Sequence, residues 1–325
     1  VNERFDRGID RGDVALEHRV PLLPVGLGDG GFELTAGGER WQCRSLILAT
    51  GAYQKPHRPA PAQTVPTAIL QLDMSDYVRP EDLPAGDVLI VGNGQSGCQA
   101  AHELSKAGRN VVLACGRAAW IPRRIGDRDL THWIIAAGAA ETPVSEIPTD
   151  ARFTANAIAT GHGGGYDLNL RVLRAAGVTL TGRFLGATDD SFRFADDLAE
   201  SVAWSDTSQE NFRAGMSKLA AAKGWPTPSF PEVPAFDPAQ PTRLDVSQFG
   251  TVIYATGYRP AFTDWLPWKD AFDEQGFPLQ VDGTSSVIPG LHFLGLHLLR
   301  KRKSSLLVGV GEDAAIVADS VARCV

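Results

Sequence analysis

Cysteine is scarce in this chain of 325 residues: four are present, Cys43, Cys98, Cys115 and Cys324, and none forms a Cys-x-x-Cys pair. That spacing argues against a structural zinc site, a redox-active dithiol motif and a dense disulfide framework. It fits reduced, partly buried thiols in a cytoplasmic protein. Long apolar runs are missing too. No stretch reaches the roughly 20 residues needed to span a bilayer, and no secretory leader is visible at the start. Basic residues are not in excess. Lys and Arg number 31 against 38 Asp and Glu, for a formal charge of -7, which speaks against a nucleic-acid binder with its basic face. No Ser-His-Asp order or metal-ligating cluster emerges, so no catalytic residue and no metal ligand is assigned. Methionine is absent from the first position, which is Val1. The chain therefore reads as a fragment or as the product of a non-standard start.

What is present is an ordinary globular composition, 43% hydrophobic and 21% charged. Its length suggests two intertwined domains. The 34 Gly and 21 Pro imply many tight turns. Phe32 to Ala49 reads as a hairpin or meander, with Gly37-Gly38 as the turn and Trp41 to Ala49 as its second strand. The last part, Ser45 to Ala49, is apolar on both faces, as expected of a strand in the middle of a sheet. Residues 53–68, with Pro56, Pro59, Pro61 and Pro66, read as an extended surface linker. A second unit starts near Ala85, with a strand at Asp87–Val91, a helix at Gln95–Lys106 closed by Gly108, and a strand at Asn110–Cys115. Further on, the pattern predicts helices at 169–176 and 209–223, strands near 178–180, 191–194, 249–254 and 290–296, and a proline-rich linker at 226–241. The chain closes on a helix with an acidic N-cap at Glu312-Asp313. Apolar strands ending in Ala-Thr-Gly, at 49–51 and 255–257, flank the middle unit. They suggest one domain interrupted by another.

Gly92-Asn93-Gly94-Gln95-Ser96-Gly97 fits the G-x-G-x-x-G pattern. The pattern is weak alone, but here a strand leads directly into it and a helix directly out. Gly92 permits the turn, Gly94 lets backbone N–H groups approach a pyrophosphate, and Gly97 lets the helix pack close to the strand. Gln95 and Ser96 open the helix, whose dipole favours phosphate. The second strand of such a unit carries an acid for the ribose 2′-hydroxyl when the ligand is NAD. Here it ends Leu113-Ala114-Cys115-Gly116-Arg117. Arginine suits a 2′-phosphate through charge-assisted, bidentate bonds, so NADPH is favoured over NADH. The alternative is that Arg117 is a surface residue.

Taken in order, "ILATGAYQKPHRP", "VLIVGNGQSG", "GRAAWIPRR", "VIYATGYRPAF" and "LLVGVGEDAAIVA" resemble the flavin-containing monooxygenases and the bacterial FAD/NAD(P)-dependent oxidoreductases related to them. The likeness runs from about Phe32 to Ala322. It implies an α/β fold of two dinucleotide-binding, Rossmann-like domains. Residues 1–84 and 241–325 are then the two parts of an FAD domain, and 85–240 the NADPH domain. It implies that Thr50-Gly51 and Thr256-Gly257 are hinges lying close to cofactor. It also implies that Gly311-Glu312-Asp313 place a helix N-terminus near the flavin, where the dipole stabilises negative charge. The activity implied is transfer of hydride from NADPH to FAD, followed by use of O2 to oxygenate a small molecule.

Two departures stand out. The family opens with a further G-x-G-x-x-G for FAD, and residues 1–45 offer no candidate. The FAD domain is therefore expected to be incomplete at its N-terminus. The family also carries Phe, Gly and His just before the NADPH domain. Thr67, Ile69 and Asp73 stand there in this chain, which puts oxygenation, as opposed to NADPH oxidation alone, in question. The alternative is a nucleotide-binding chain without turnover. The basic run Arg300-Lys301-Arg302-Lys303 reads as a solvated loop rather than a phosphate site. His162 and His297 stay without a role.

Overall fold

The computed structural model describes residues 26–28, 31–36, 39–51, 53–153 and 157–323. The expectation of a missing N-terminal glycine-rich unit, and the reading of Cys324, fall largely outside the described residues. At the beginning, β1 (Gly26–Gly28), β2 (Gly31–Ala36) and β3 (Glu39–Cys43) form an antiparallel meander, with β2 and β3 paired as the predicted hairpin. The strand expected to continue from Trp41 to Ala49 is split. Arg44 and Ser45 turn the chain, and β4 (Leu46–Leu48) enters another sheet. Among the described residues β4 lies at that sheet's edge, with Ile47 43% exposed, not in its middle. Apolar composition reports that a strand is suited to burial. It does not say which neighbours supply it.

After β5 (Lys55–Pro56) the proline-rich stretch is more than a surface linker. Ala60–Thr64 coils into a 3-10 turn, and Ala62 and Val65 are buried. The next strands build the main sheet: β6 (Leu70–Asp73), β7 (Asp87–Val91), β8 (Val111–Ala114), β11 (Thr179–Thr181) and β15 (Phe249–Tyr254). They are all parallel, in the order β11-β8-β7-β15-β6. Val88, Leu89 and Ile90 are fully buried because both faces of the sheet are covered. Two of its five strands, β6 and β15, come from outside residues 85–240. The sheet therefore reaches from 70 to 254, wider than the sequence pattern alone delimits.

On one face α1 (Gln95–Lys106) buries Cys98, Ala101 and Leu104, together with α3 (Leu170–Ala175). Helix α1 ends as predicted, with Gly108 in the left-handed region at φ 79°. Helix α3 starts where Asn169 accepts hydrogen bonds from the Arg171 and Val172 amides. The other face is covered by an antiparallel layer of β12 (Phe184–Ala187), β13 (Ser191–Phe194) and β14 (Arg243–Asp245). Phe192 meets Phe249 edge to face at 4.9 Å between ring centres. Between β8 and α3 the chain makes an excursion containing the small hairpin β9 (Arg124–Ile125) and β10 (Arg128–Asp129), and α2 (Leu130–Ala136). Helix α4 (Leu198–Ala222) packs against α2 through Met216 and Ala220. It begins eleven residues before the predicted start at Gln209. Its first turns carry Ser, Asp and Thr with little apolar periodicity, and Leu198, Val202 and Ser205 are buried by tertiary packing.

The remaining chain forms the second body. Strand β16 (Tyr258–Arg259) pairs with β5. Strands β17 (Gln280–Val281), β18 (Thr284–Ser285) and β19 (Leu291–Phe293) complete the sheet that ends in β4. Its core gathers Phe32, Leu48, Phe262, Phe272 and Phe293. Helix α5 (Leu307–Arg323) closes the chain. No helix among the described residues is long and apolar enough to cross a membrane.

Candidate functional site

The main sheet runs outward from β7 through β8 to β11, then returns to the other side of β7 with β15. The C-terminal ends of β7 and β15 lie side by side, where open parallel sheets place their ligands. Gly92–Gly97 lies there. Gly92 has φ 107°, and a Cβ on it would meet the Ala255 carbonyl oxygen at 2.7 Å. A Cβ on Gly97 would overlap the Gly92 carbonyl oxygen. Both glycines are thus required by the fold itself. Gly94 differs: a Cβ there meets nothing within 4 Å. Gly94 is also the N-cap of α1, without a side-chain cap, and Gln95 and Ser96 are exposed. The first amides of α1 have no side-chain cap, and an uncapped helix N-terminus favours an anion.

Asn93, which the sequence pattern left as a spacer, has a structural part. It is 4% exposed, and its Oδ1 accepts from the Gly116 amide at 2.8 Å. Its backbone oxygen takes the Cys98 thiol at 3.3 Å. One side chain thereby ties the glycine loop to the end of β8. Arg117 follows directly. Its side chain is exposed and has no partner among the described residues. Arg123, by contrast, is paired with Asp129 at 2.8 Å.

Thr256 and Gly257 stand beside this loop. The Thr256 hydroxyl donates to the His57 carbonyl, and the His57 amide donates to Gly257 O at 2.9 Å. Thr50 and Gly51 are drawn to the same crossing by Gln54. Its amide nitrogen donates to Thr50 Oγ1 at 3.0 Å and to Gly51 O at 3.3 Å, while its oxygen accepts from the Ala261 amide at 2.7 Å. Gly51 and Gly257 are left-handed, at φ 82° and 83°, with nothing near an added Cβ. Gln54 could not be singled out beforehand, because its partner Ala261 lies 207 residues away in the chain.

Gly311, Glu312 and Asp313 are placed differently from the expectation. They lie in the second turn of α5, which starts at Leu307, so they neither cap the helix nor form its N-terminus. The helix starts at Leu307 although Gly309 lies in its first turn. Gly309 is there for close packing, since a Cβ on it would overlap the Lys303 carbonyl. The acids instead meet the basic run, which is no solvated loop. Glu312 pairs with Lys301 at 2.6 Å and Lys303 at 2.8 Å, and both lysines also pair with Glu141. The two lysines hold the Glu312 carboxyl down to about 2. Arg300 joins Asp282 at 2.8 Å and buried Asp313 at 3.0 Å.

Before the main sheet, Asp73 pairs with Arg58 at 2.6 Å, and Arg58 lies 4.8 Å from the centre of the Tyr254 ring. Thr67 is exposed and Ile69 buried. His162 lies in the Gly161–Gly165 loop, away from the glycine-rich turn in sequence and without a hydrogen-bonded side-chain partner among the described residues. Among the described residues no group of three or more His, Cys, Asp or Glu is arranged to hold a metal. Cys43, Cys98 and Cys115 are free thiols.

The model of the pyridine nucleotide-disulphide oxidoreductase family matches residues 11–137. An uncharacterized oxidoreductase, CzcO, of Bacillus subtilis is 27% identical over 306 residues, covering 94% of this chain and 73% of the relative. A solved flavin-containing monooxygenase from Stenotrophomonas maltophilia superposes with a TM-score of 0.58 at 18% identity, over 94% of this chain and 70% of that one. The chain is similar to this oxidoreductase over most of its length and shares the fold of the monooxygenase. A bacillithiol disulfide reductase from Bacillus cereus also superposes, with a TM-score of 0.50 at 14% identity, over 93% of this chain and 70% of the reductase. The Rossmann-like fold of these flavin-containing monooxygenase-like proteins is therefore shared across different chemistries, and chemistry has to be argued from side chains.

Proposed function

We propose that this chain is an FAD- and NADPH-dependent, monooxygenase-like oxidoreductase acting on a small molecule. The observation that carries the reading is the glycine loop. Two of its glycines are demanded by packing, whereas a Cβ on Gly94 would meet nothing within 4 Å, which leaves room for a phosphate beside the loop. Amides at the start of α1, from Gln95 and Ser96, are the donors for a pyrophosphate. Arg117 is the cation for the 2′-phosphate that separates NADPH from NADH. Thr50-Gly51 and Thr256-Gly257, where a Cβ on either glycine would meet nothing within 4 Å, are read as the backbone that approaches the flavin. When bound, the nicotinamide supplies hydride and the flavin takes it up and makes O2 usable for oxygenation. This chain's residues bind, orient and shield.

Thiol chemistry of the disulfide-reductase kind finds less support. Burial pushes the Cys98 thiol up to about 12 and the Cys115 thiol well above its ordinary range. The reactive form is the thiolate.

The test is a titration of the purified chain with NADPH and NADH, with and without FAD, following flavin absorbance. Flavin bleaching by NADPH supports the reading. The Arg117→Ala variant is expected to weaken NADPH binding about 10- to 100-fold, the value of one charge-assisted contact, and to leave NADH unchanged. Equal losses for both nucleotides would assign Arg117 no part in selectivity. NADPH binding with no bleaching at saturating FAD would favour a chain without turnover.

A further inference from the structure

A cavity of about 230 Å³ lies away from the glycine loop, where the excursion around 139–153 meets the second body. Val144, Arg152, Phe277, Leu279, His297 and Leu298 are among its walls. The two bodies are joined here by backbone, with the Val144 amide donating to Arg300 O at 2.8 Å. Junctions of this kind are common ligand sites.

Most polar groups on the wall are already committed. Arg152 pairs with Asp273 at 2.6 Å and covers the Phe277 ring at 5.0 Å. Asp273 also accepts from the Gln275 and Phe277 amides, each at 2.9 Å. Gln280 donates to Leu299 O and accepts from the Gly283 amide. His297 is different: among the described residues its hydrogen-bond partner is the Arg152 backbone. Burial holds its imidazole below the ordinary range, the Arg152 backbone opposes this, and the Arg302 charge adds to it. At neutral pH the ring is therefore uncharged and keeps an acceptor nitrogen. Beside it, Leu298 is 7% exposed and has φ 55°. A bulky buried residue in the left-handed region is strained, and such strain gathers at ligand clamps. A buried water needs two to four polar partners. The other polar side chains of the wall are paired with one another or with backbone, so among the described residues His297 is the acceptor left for an occupant, beside the apolar Phe277, Leu279 and Leu298.

We infer that this cavity binds a small neutral organic molecule with an apolar ring and a hydroxyl or N–H group that donates to His297. The inference goes beyond the proposed cofactor chemistry and uses none of its residues.

The probe is phenol, with toluene as the control that lacks the donor. The full chain carries 15N-labelled histidine, and the ring resonance of His297, assigned with His297→Gln, is followed by NMR. Phenol is expected to shift that resonance saturably. Toluene is expected to bind at least tenfold more weakly, and His297→Phe to remove the difference. A His297 resonance unmoved at millimolar phenol, or a His297→Phe variant that keeps the preference for phenol over toluene, would overturn the assignment. The titration is expected to be unchanged in Arg117→Ala, so the two proposals fail separately.

Discussion

The loop at Gly92–Gly97 and the segment at Gly311–Asp313 both carry glycine at the start of what the sequence presents as a helix. In the first, strand, loop and helix follow one another within twenty residues, from Asp87 to Lys106. The glycines are fixed by contacts made inside that unit and with the adjoining Ala255. In the second, the helix had already begun at Leu307, and the acids are fixed by lysines and an arginine around 300–303, the lysines being shared with Glu141 from the other body. A local unit announces its geometry in its own residues. A charge network assembled from distant segments does not.

Glycine substitutions break this comparison most directly. Gly97→Ala forces its new methyl group into the Gly92 carbonyl, and is expected to cost about 1–3 kcal/mol, as overpacking does. Gly94→Ala is expected to leave stability within about 0.5 kcal/mol while weakening NADPH at least tenfold. Chemical denaturation and fluorescence titration on the same preparations check both. If Gly94→Ala binds NADPH like the parent, the open space is not the phosphate seat.

Gly311 sharpens the other side. It sits inside α5 with nothing within 4 Å of an added Cβ. Gly311→Ala is therefore expected to gain about 0.5–1 kcal/mol, because helical glycine is entropically costly. A loss of stability on thermal unfolding would show that the position is not an ordinary helix interior.

The smallest effect is electrostatic. Glu312 is held near 2, below the ordinary 4.5. Its pairing therefore contributes fully above about pH 4.5 and is lost as the pH falls toward 2. The Glu312→Gln variant is expected to melt slightly below the parent at pH 7, and the gap is expected to narrow by pH 3. A gap that stays constant across that range would mean the lysines stabilise through packing instead. The effect is small because these side chains are substantially exposed.

The β7–α1–β8 unit was legible because hydrophobic periodicity, glycine spacing and a C-terminal glycine agree over a short span. The family resemblance was legible for the same reason, repeated at several places in order. The split at Arg44-Ser45 was not, since one apolar run serves two sheets. The early start of α4 was not, since burial of Leu198 and Val202 by other segments outweighs weak local propensity. Asn93 and Gln54 escaped notice because their partners lie outside any local window.

By itself, then, the sequence determined the glycine loop, its flanking strand and helix, and the arginine that follows the second strand. These depend on backbone conformation and spacing within one folding unit. Only the tertiary structure decided that β15 closes against Gly92, that Gln54 holds the two crossings together, that the basic run answers Glu141 and Glu312, and that His297 faces a cavity. Each of these joins residues far apart in the chain, and such pairing is set by how the packed layers meet.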